Sequence, residues 1–427
     1  MSEYIFTGLS DQQAKIVCSE SRKIIVDAGS GAGKTRTLIE KVKMLISSGA
    51  DPKSIVVFTF TNMAADELKA RLSDTAGADD AFIGTIHSYA NKVLKKSGKE
   101  FNIFSEVYQT QFMEVLIPKY AKYCTLEDYK LFVKYDKLVT IGRMARSEVC
   151  EKFTDSKVYN ELLYLLGRVP SYVYPETVVT LCEANNVLTF DELIKLATDY
   201  FNENNSRPKY LFVDELQDIG YLEYNFIMSI NAEYTFCIGD DYQSIFGFKG
   251  GEVDIFLSLM HDPEWSTFYL TENYRTAKSI LTYANSVIKQ CHNIINKDVI
   301  FKNNNNGKLE FNSGNLLSKF ISEIPDGEDW FFITRTNKEM CYVESLVRKL
   351  GRKYYCFKQS AVSPKKLKEI RDAKCIKIMT AHASKGMECD NVAIYGRFPI
   401  KGARDEDEYK VFYVAITRAK NRCTIFV

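Results

Sequence analysis

In the first hundred residues short apolar runs alternate with longer segments whose apolar residues recur at helical spacing. Ile24 to Val26, Ile55 to Phe58 and Ala81 to Ile83 have the length and composition of buried strands. Strands separated by helical segments predict a parallel sheet covered by helices. After Gly98 the alternation gives way to a stretch rich in Tyr, Lys, Leu and Glu, as in PKYAKYCTLEDYKLFVKYDKLV, which reads as a mostly helical insertion. Strand-like runs resume at Tyr210 to Val213, Tyr234 to Ile238 and Phe268 to Leu270, a return to the first sheet. A second series follows at Trp330 to Ile333, Tyr354 to Phe357, Ile376 to Met379, Val392 to Tyr395 and Cys423 to Phe426. The pattern therefore predicts an α/β protein with two units and a helical insertion in the first. FKNNNNGKLEFNSGN is polar and rich in Gly and Asn, and reads as a loop or short turn region, with disorder as the alternative.

Composition narrows the class. A chain of 427 residues exceeds one ordinary core, so two or three domains are expected. The longest apolar runs fall short of the roughly 20 residues that cross a bilayer, and MSEYIFTGLS lacks a basic region followed by an apolar block. The expectation is a soluble protein of the cytoplasm or another intracellular compartment, with no membrane contact. Eleven scattered cysteines without a CxxC pair, and only four histidines, fit reduced thiols better than a disulfide scaffold or a zinc site. A formal net charge of +1 removes any global electrostatic argument for nucleic acid but leaves room for a local basic groove.

The strongest chemical signal is KIIVDAGSGAGKTRTLIEKV, a strand, a small-residue loop and a helix in immediate succession. Across Ala28, Gly29, Ser30, Gly31, Ala32, Gly33, Lys34, Thr35 and Arg36, the glycines let backbone N–H groups converge on phosphate oxygens, and the helix start adds its positive dipole end. Lys34 can neutralise β/γ-phosphate charge while the Thr35 hydroxyl ligates Mg²⁺. YLFVDELQD adds a strand ending in Asp214 and Glu215. An aspartate there can hold the metal through water, and the neighbouring glutamate can orient or deprotonate an attacking water. Acidic residues after a strand are common in loops, so this element gains its meaning from Lys34.

Besides the phosphate loop, eight motifs, the acidic strand end among them, run in order from Leu9 to Lys420, and with them the chain resembles superfamily 1 DNA helicases of the UvrD/Rep/PcrA type. LSDQQ resembles an adenine-reading motif, with Gln13 at the glutamine position; FTFTNMAADEL and IGTIHSYA resemble the two motifs that touch single-stranded DNA; DELQD resembles the DExQD box. IGDDYQSIFGFKGG resembles the coupling motif, which implies Gln243 sensing the γ-phosphate and aromatics meeting bases. LTENYRTAKSILTYAN resembles the NYR motif, which implies Tyr274 stacking on adenine and Arg275 on the γ-phosphate. MTAHASKGMECD, which contains Glu388, resembles the TxHxxKGxE motif, and YVAITRAK implies Arg418 as a second γ-phosphate contact. By this resemblance the catalytic set is Lys34, Glu215, Gln243, Arg275 and Arg418. Gln13, Tyr274 and Glu388 join the loop as nucleotide contacts, with Thr35 and Asp214 at the metal. Phe60, Asn62, His87, Tyr89, Phe246, Phe248, Lys249, Thr380 and His382 are the candidate DNA contacts, by aromatic faces under bases and polar groups along phosphates. Phe248 and Lys249 stand where the family usually has Trp and Arg, and Met63 where it usually has Lys.

The resemblance implies two RecA-like lobes with parallel sheets: 1–98 and 186–270 as the ATP-binding lobe, 99–185 as its helical insertion, and 271–427 as the second lobe. It implies ATP and Mg²⁺ as cofactors, and 3′-to-5′ polarity. Expected partners are single-stranded DNA, its junctions with duplex and a protein that enhances unwinding, for a monomer or weak oligomer. Only about a hundred residues separate Arg275 from Thr380, so the family's second-lobe insertion is expected to be absent or reduced to a loop around Tyr342 to Lys368. No C-terminal partner-binding tail is expected after Val427. Two other readings stay open: a nucleotide-dependent clamp or remodeller that does not unwind, and an ATPase acting on RNA. The Lys/Tyr-rich stretch Lys119 to Lys137 fits a solvated helix face better than a phosphate-binding one.

Overall fold

Two sheets, each of six parallel strands, carry the chain in the computed structural model. The described residues are 8–103, 113–114, 117–118, 121–140, 153, 155–165, 186–205, 207–247, 251–357, 370, 373–398 and 405–426. Along the chain come β1 (Lys23–Ala28), β2 (Ile55–Phe58), β3 (Phe82–Gly84), the short pair β4 (Asn102–Ile103) and β5 (Val187–Leu188), then β6 (Tyr210–Val213), β7 (Tyr234–Gly239) and β8 (Ser266–Leu270). The first sheet has the order β3-β2-β6-β7-β1-β8. Next, β9 (Glu272–Asn273) pairs with β10 (Ile300–Phe301). The second sheet is built from β11 (Lys308–Asn312), β12 (Trp330–Thr334), β13 (Tyr354–Cys356), β14 (Ile376–Thr380), β15 (Cys389–Tyr395) and β16 (Ala419–Phe426), in the order β11-β16-β15-β12-β14-β13.

Both sheets are covered on both faces, which is why their central strands read as unbroken apolar runs. Alternate residues enter opposite cores. Ile24 and Val26 join one cluster and Ile25 the other; in the second sheet Trp330 and Phe332 point one way, Phe331 and Ile333 the other. Because every strand of the first sheet runs the same way, β1, β2, β6 and β7 deliver their C-terminal ends to one edge, where ligands of open α/β sheets bind.

Three sequence expectations change. The polar segment after Ile300 contains β11, which pairs with β16 from Lys308↔Arg422 to Asn312↔Phe426. As an edge strand it leaves Phe311 exposed, so its apolar pattern is weak. The described part of the supposed loop from Tyr342 is largely regular: the helix Asn337–Lys349 runs through Tyr342 and β13 follows, while 358–369 lie outside the described residues. The third strand is Phe82–Gly84 rather than Ala81 to Ile83. Within 99–185 the described helices are Leu126–Thr140 and Ser156–Leu165. Glu161 ties them by accepting the backbone N–H groups of Lys122, Tyr123 and Cys124, each at 2.8 Å; these bonds outweigh its desolvation and hold its carboxyl below the usual range.

Candidate nucleotide and strand site

The loop after β1 is a cradle shaped by missing side chains. Gly31 and Gly33 adopt φ of 73° and 86°, left-handed values that suit glycine. A Cβ on Gly31 would lie 2.6 Å from Asn273 Nδ2 and 2.7 Å from Arg275 Cβ. The residues after β8 clamp this loop: Gly29 N donates to the Leu270 carbonyl, Asn273 Nδ2 donates to the Ser30 carbonyl at 2.6 Å, and Tyr274 N donates to the Gly31 carbonyl. The helix Lys34–Ser47 then begins with its N-terminal end facing the cradle. Lys34 Nζ and Ser30 Oγ are buried and make no hydrogen bond, and Lys34 Nζ sits 3.6 Å from Glu215.

The acidic pair arrives at the end of β6. Glu215 takes φ of 55°, a strained value for a residue with a Cβ and one that concentrates at functional sites. Burial, helped by the charge of Glu215, pushes the Asp214 carboxyl up to about 7. Burial also opposes ionisation of Glu215, but Lys34 and Lys385 outweigh it and hold that carboxyl at about 2. Glu215 is thus the ionised partner, a state in which it can accept a proton.

Groups from the second half of the chain complete the site. Arg418 is 1% exposed. Its Nη2 donates to Gln243 Oε1 at 2.9 Å, its Nε to the Val414 carbonyl and its Nη1 to the Met387 carbonyl. Burial, then repulsion from Arg275, lowers it to about 10, which leaves it a cation at neutral pH. Arg275 pairs with Glu388 at 2.5 Å, and Glu388 with Lys420 at 2.7 Å. One cavity of about 840 Å³ is lined by the loop from Gly29 to Arg36, by Asp214, Glu215 and Gln243, and by Arg275, Glu388 and Arg418.

That cavity continues to strand candidates. Phe60, Phe246, Thr380 and His382 line it, with Phe60 stacked on Phe246 at 4.9 Å and 18° and His382 6.0 Å from Phe246. Asn62 is exposed at the start of the helix Asn62–Leu72. His87 meets Phe190 edge-on at 5.1 Å, and burial lowers its pKa. Neither lines the cavity. Tyr89 corrects the expectation of a DNA contact. It is 8% exposed, with ring centroids 5.3 Å from Phe58, 4.8 Å from Phe82 and 6.2 Å from Phe201, so its helix turns it into the core. Phe248 and Lys249 lie outside the described residues. Gln13 is turned onto the loop: its Nε2 donates to the Ala32 carbonyl at 3.1 Å and its Oε1 accepts from Ser10 N. Ala28 is buried at the end of β1, and Tyr274 is exposed with its hydroxyl donating to Glu272.

Comparison with known proteins decides what this arrangement belongs to. The family model of the UvrD/REP helicase N-terminal domain matches residues 9–264, and that of the UvrD-like helicase C-terminal domain matches residues 354–427. The chain belongs to the UvrD/REP helicase family. Its relatives include a "Probable DNA helicase" of Mycoplasma pneumoniae, 26% identical over 96% of this chain and 81% of the relative. The ATP-dependent DNA helicase Rep of Buchnera aphidicola is 29% identical over 70% of this chain and 46% of its own, and PcrA of Bacillus subtilis 28% over 83% and 51%. The chain thus spans about half the length of the Rep and PcrA relatives.

UvrD/REP membership carries ATP and Mg²⁺ with it, and the residues fit both. The buried Lys34 ammonium, which makes no hydrogen bond and only the ion pair with Glu215, lies at a cradle that a Cβ would fill, as a phosphate site requires. Thr35 and Asp214 offer the hydroxyl and carboxylate oxygens that a hard cation takes. The structure also brings in residues outside the candidate set. Lys385 donates to Asp218 and to the Gln243 carbonyl. Gln217 donates to Glu215 at 2.6 Å and accepts from Asp240 N at 2.9 Å. Gln12 exchanges two hydrogen bonds with Thr271. Lys385 and Gln217 stood within quoted motifs and carried a legible signal; the partner of Gln12, 259 positions away, did not.

Proposed function

We propose that this chain is an ATP-dependent translocase on single-stranded DNA and a 3′-to-5′ DNA helicase, in which nucleotide turnover opens and closes two lobes around a strand. In this reading residues 1–98 and 186–270 form the ATP-binding lobe, 99–185 its helical insertion and 271–427 the second lobe. The observation that carries it is the Gln243–Arg418 hydrogen bond at 2.9 Å, which joins the end of β7 to the last motif 175 positions away beside the phosphate cradle. A site assembled from both halves responds to the loss of a γ-phosphate by losing contacts between them.

Bound Mg²⁺ would supply charge neutralisation for the transferring phosphoryl group. Lys34 and the loop N–H groups orient the phosphates, ionised Glu215 accepts the proton of the attacking water, and Arg275 and Arg418 meet the developing charge. Phe60, Phe246, Thr380 and His382 take the strand along the same cavity, with Asn62, His87, Phe248 and Lys249 as further contacts, so strand and nucleotide share walls. Tyr274 with Gln13 bounds the base. Intracellular location, junction binding, a protein that enhances unwinding and a monomeric or weakly associating state belong to the same proposal. Strand displacement on a 3′-tailed duplex against a 5′-tailed one tests it. Displacement confined to the 3′-tailed substrate is expected; hydrolysis stimulated by DNA without displacement points instead to a clamp or remodeller.

A further inference from the structure

Beneath the phosphate loop lies a buried charge cluster that none of the motif assignments uses. Asp27 ends the apolar run of β1, Asp240 and Asp241 follow β7, and their carboxylate oxygens lie within 4.8 Å of one another, a grouping able to hold a cation. A cation is already there. Lys297 Nζ lies 2.8 Å from Asp27, 2.6 Å from Asp240 and 2.6 Å from Asp241, with its side chain 1% exposed. Its backbone is seated too: Lys297 N donates to the Tyr242 hydroxyl and Ile295 N to Asp241 Oδ2 at 2.6 Å. Lys297 comes after β9 in the chain and just before β10, and it reaches back onto the ends of β1 and β7.

We propose that Lys297 is a positioning residue for nucleotide hydrolysis, fixing Asp240, through it the amide of Gln243, and through that amide the seat of Arg418. The proposal rests on the reading of the nucleotide site given above. An ionised carboxylate only accepts, so Asp240 Oδ2 takes the Gln243 Nε2 donor at 2.5 Å and leaves Gln243 Oε1 facing Arg418 Nη2. Without the ammonium, a carboxyl this buried takes up a proton and becomes a donor. It can then bond the amide the other way round and turn the NH₂ group toward the guanidinium. Burial opposes ionisation of Asp240, and Lys297 outweighs it, so the carboxyl lies below its usual range. A buried ionic cluster is a poor source of stability compared with apolar packing; what it supplies here is a direction for one amide.

The test compares two variants of the full chain. Asp27→Asn with Asp241→Asn leaves a one-to-one pair of Lys297 and Asp240; adding Lys297→Met leaves Asp240 alone. The double variant is expected to keep kcat for ATP hydrolysis within about threefold of wild type, and the triple variant to lose about tenfold or more in kcat with KM for ATP within about twofold. Equal kcat in the two overturns the proposal, as does a loss confined to KM. Should the triple variant not fold, Asp240→Asn, which keeps Lys297 paired with Asp27 and Asp241, is expected to show the same loss of kcat, and wild-type turnover in it overturns the proposal. Lys34→Ala runs in parallel. An inactive Lys34→Ala beside matching double and triple variants refutes the role of Lys297 alone; a wild-type chain without ATPase activity refutes the nucleotide reading and this proposal with it.

Discussion

Replacing Arg418 by alanine separates catalysis from binding. The guanidinium uses four of its five donors on Val414, Met387, Thr417 and Gln243, so it is held rigidly before any nucleotide arrives. A preorganised cation of this kind acts on charge that develops in the transition state, and removal of one such donor costs about 3–4 kcal/mol of barrier, roughly 10²–10³ in kcat. The same substitution strips hydrogen bonds from the buried Val414 and Met387 carbonyls, and a stability loss of roughly 2–4 kcal/mol is expected. Three measurements are needed: steady-state hydrolysis with a saturating single strand, equilibrium binding of a nucleotide analogue, and thermal unfolding. The expected result is a large fall in kcat, nucleotide affinity changed by less than about tenfold, and a folded protein at assay temperature. Arg418→Lys keeps the charge without the planar fork and should restore part of the stability but little of the rate. Equal losses in kcat and affinity, or an unchanged kcat, refute the role assigned to Arg418.

Other consequences are independent of that residue. Lys34→Ala should abolish turnover with little change in melting temperature, because the side chain faces the cradle and contributes nothing to the core; substantial hydrolysis would refute the phosphate assignment. Tyr89→Ala should destabilise by about 3–5 kcal/mol while leaving strand affinity per folded molecule unchanged, and a selective loss of strand binding would return Tyr89 to the interface. Burial lowers Lys41 to about 8, with its ammonium donating to the Val17 and Ser19 carbonyls. The unfolded chain therefore holds a proton between pH 8 and about 10.4 that the folded chain has released. Stability should rise with pH across that window, by up to about 3 kcal/mol, relative to Lys41→Met, in denaturant titrations; a flat difference contradicts the burial assigned to Lys41.

The central strands were legible because each is buried on both faces and so reads as a plain apolar run. β11 was not, since an edge strand with Phe311 exposed carries little periodic signal among asparagines. The phosphate loop and acidic pair were legible because their chemistry needs adjacent residues. Tyr89 misled because motif position does not reveal which side of a helix faces the core. Lys297 was silent for a different reason. It stands in a short unremarkable stretch, INKDVI, and its meaning comes from three carboxylates placed by β1 and β7, the nearest 56 positions away. A charge that compensates others across the fold leaves no local pattern.

The decisive measurement is the ATPase rate with and without single-stranded DNA, because four strand candidates, Phe60, Phe246, Thr380 and His382, line one cavity with the nucleotide groups. Slow hydrolysis alone and turnover raised at least about tenfold by a saturating single strand are expected, with the increase lost in Lys34→Ala. An ATPase rate indifferent to DNA would contradict the translocase reading.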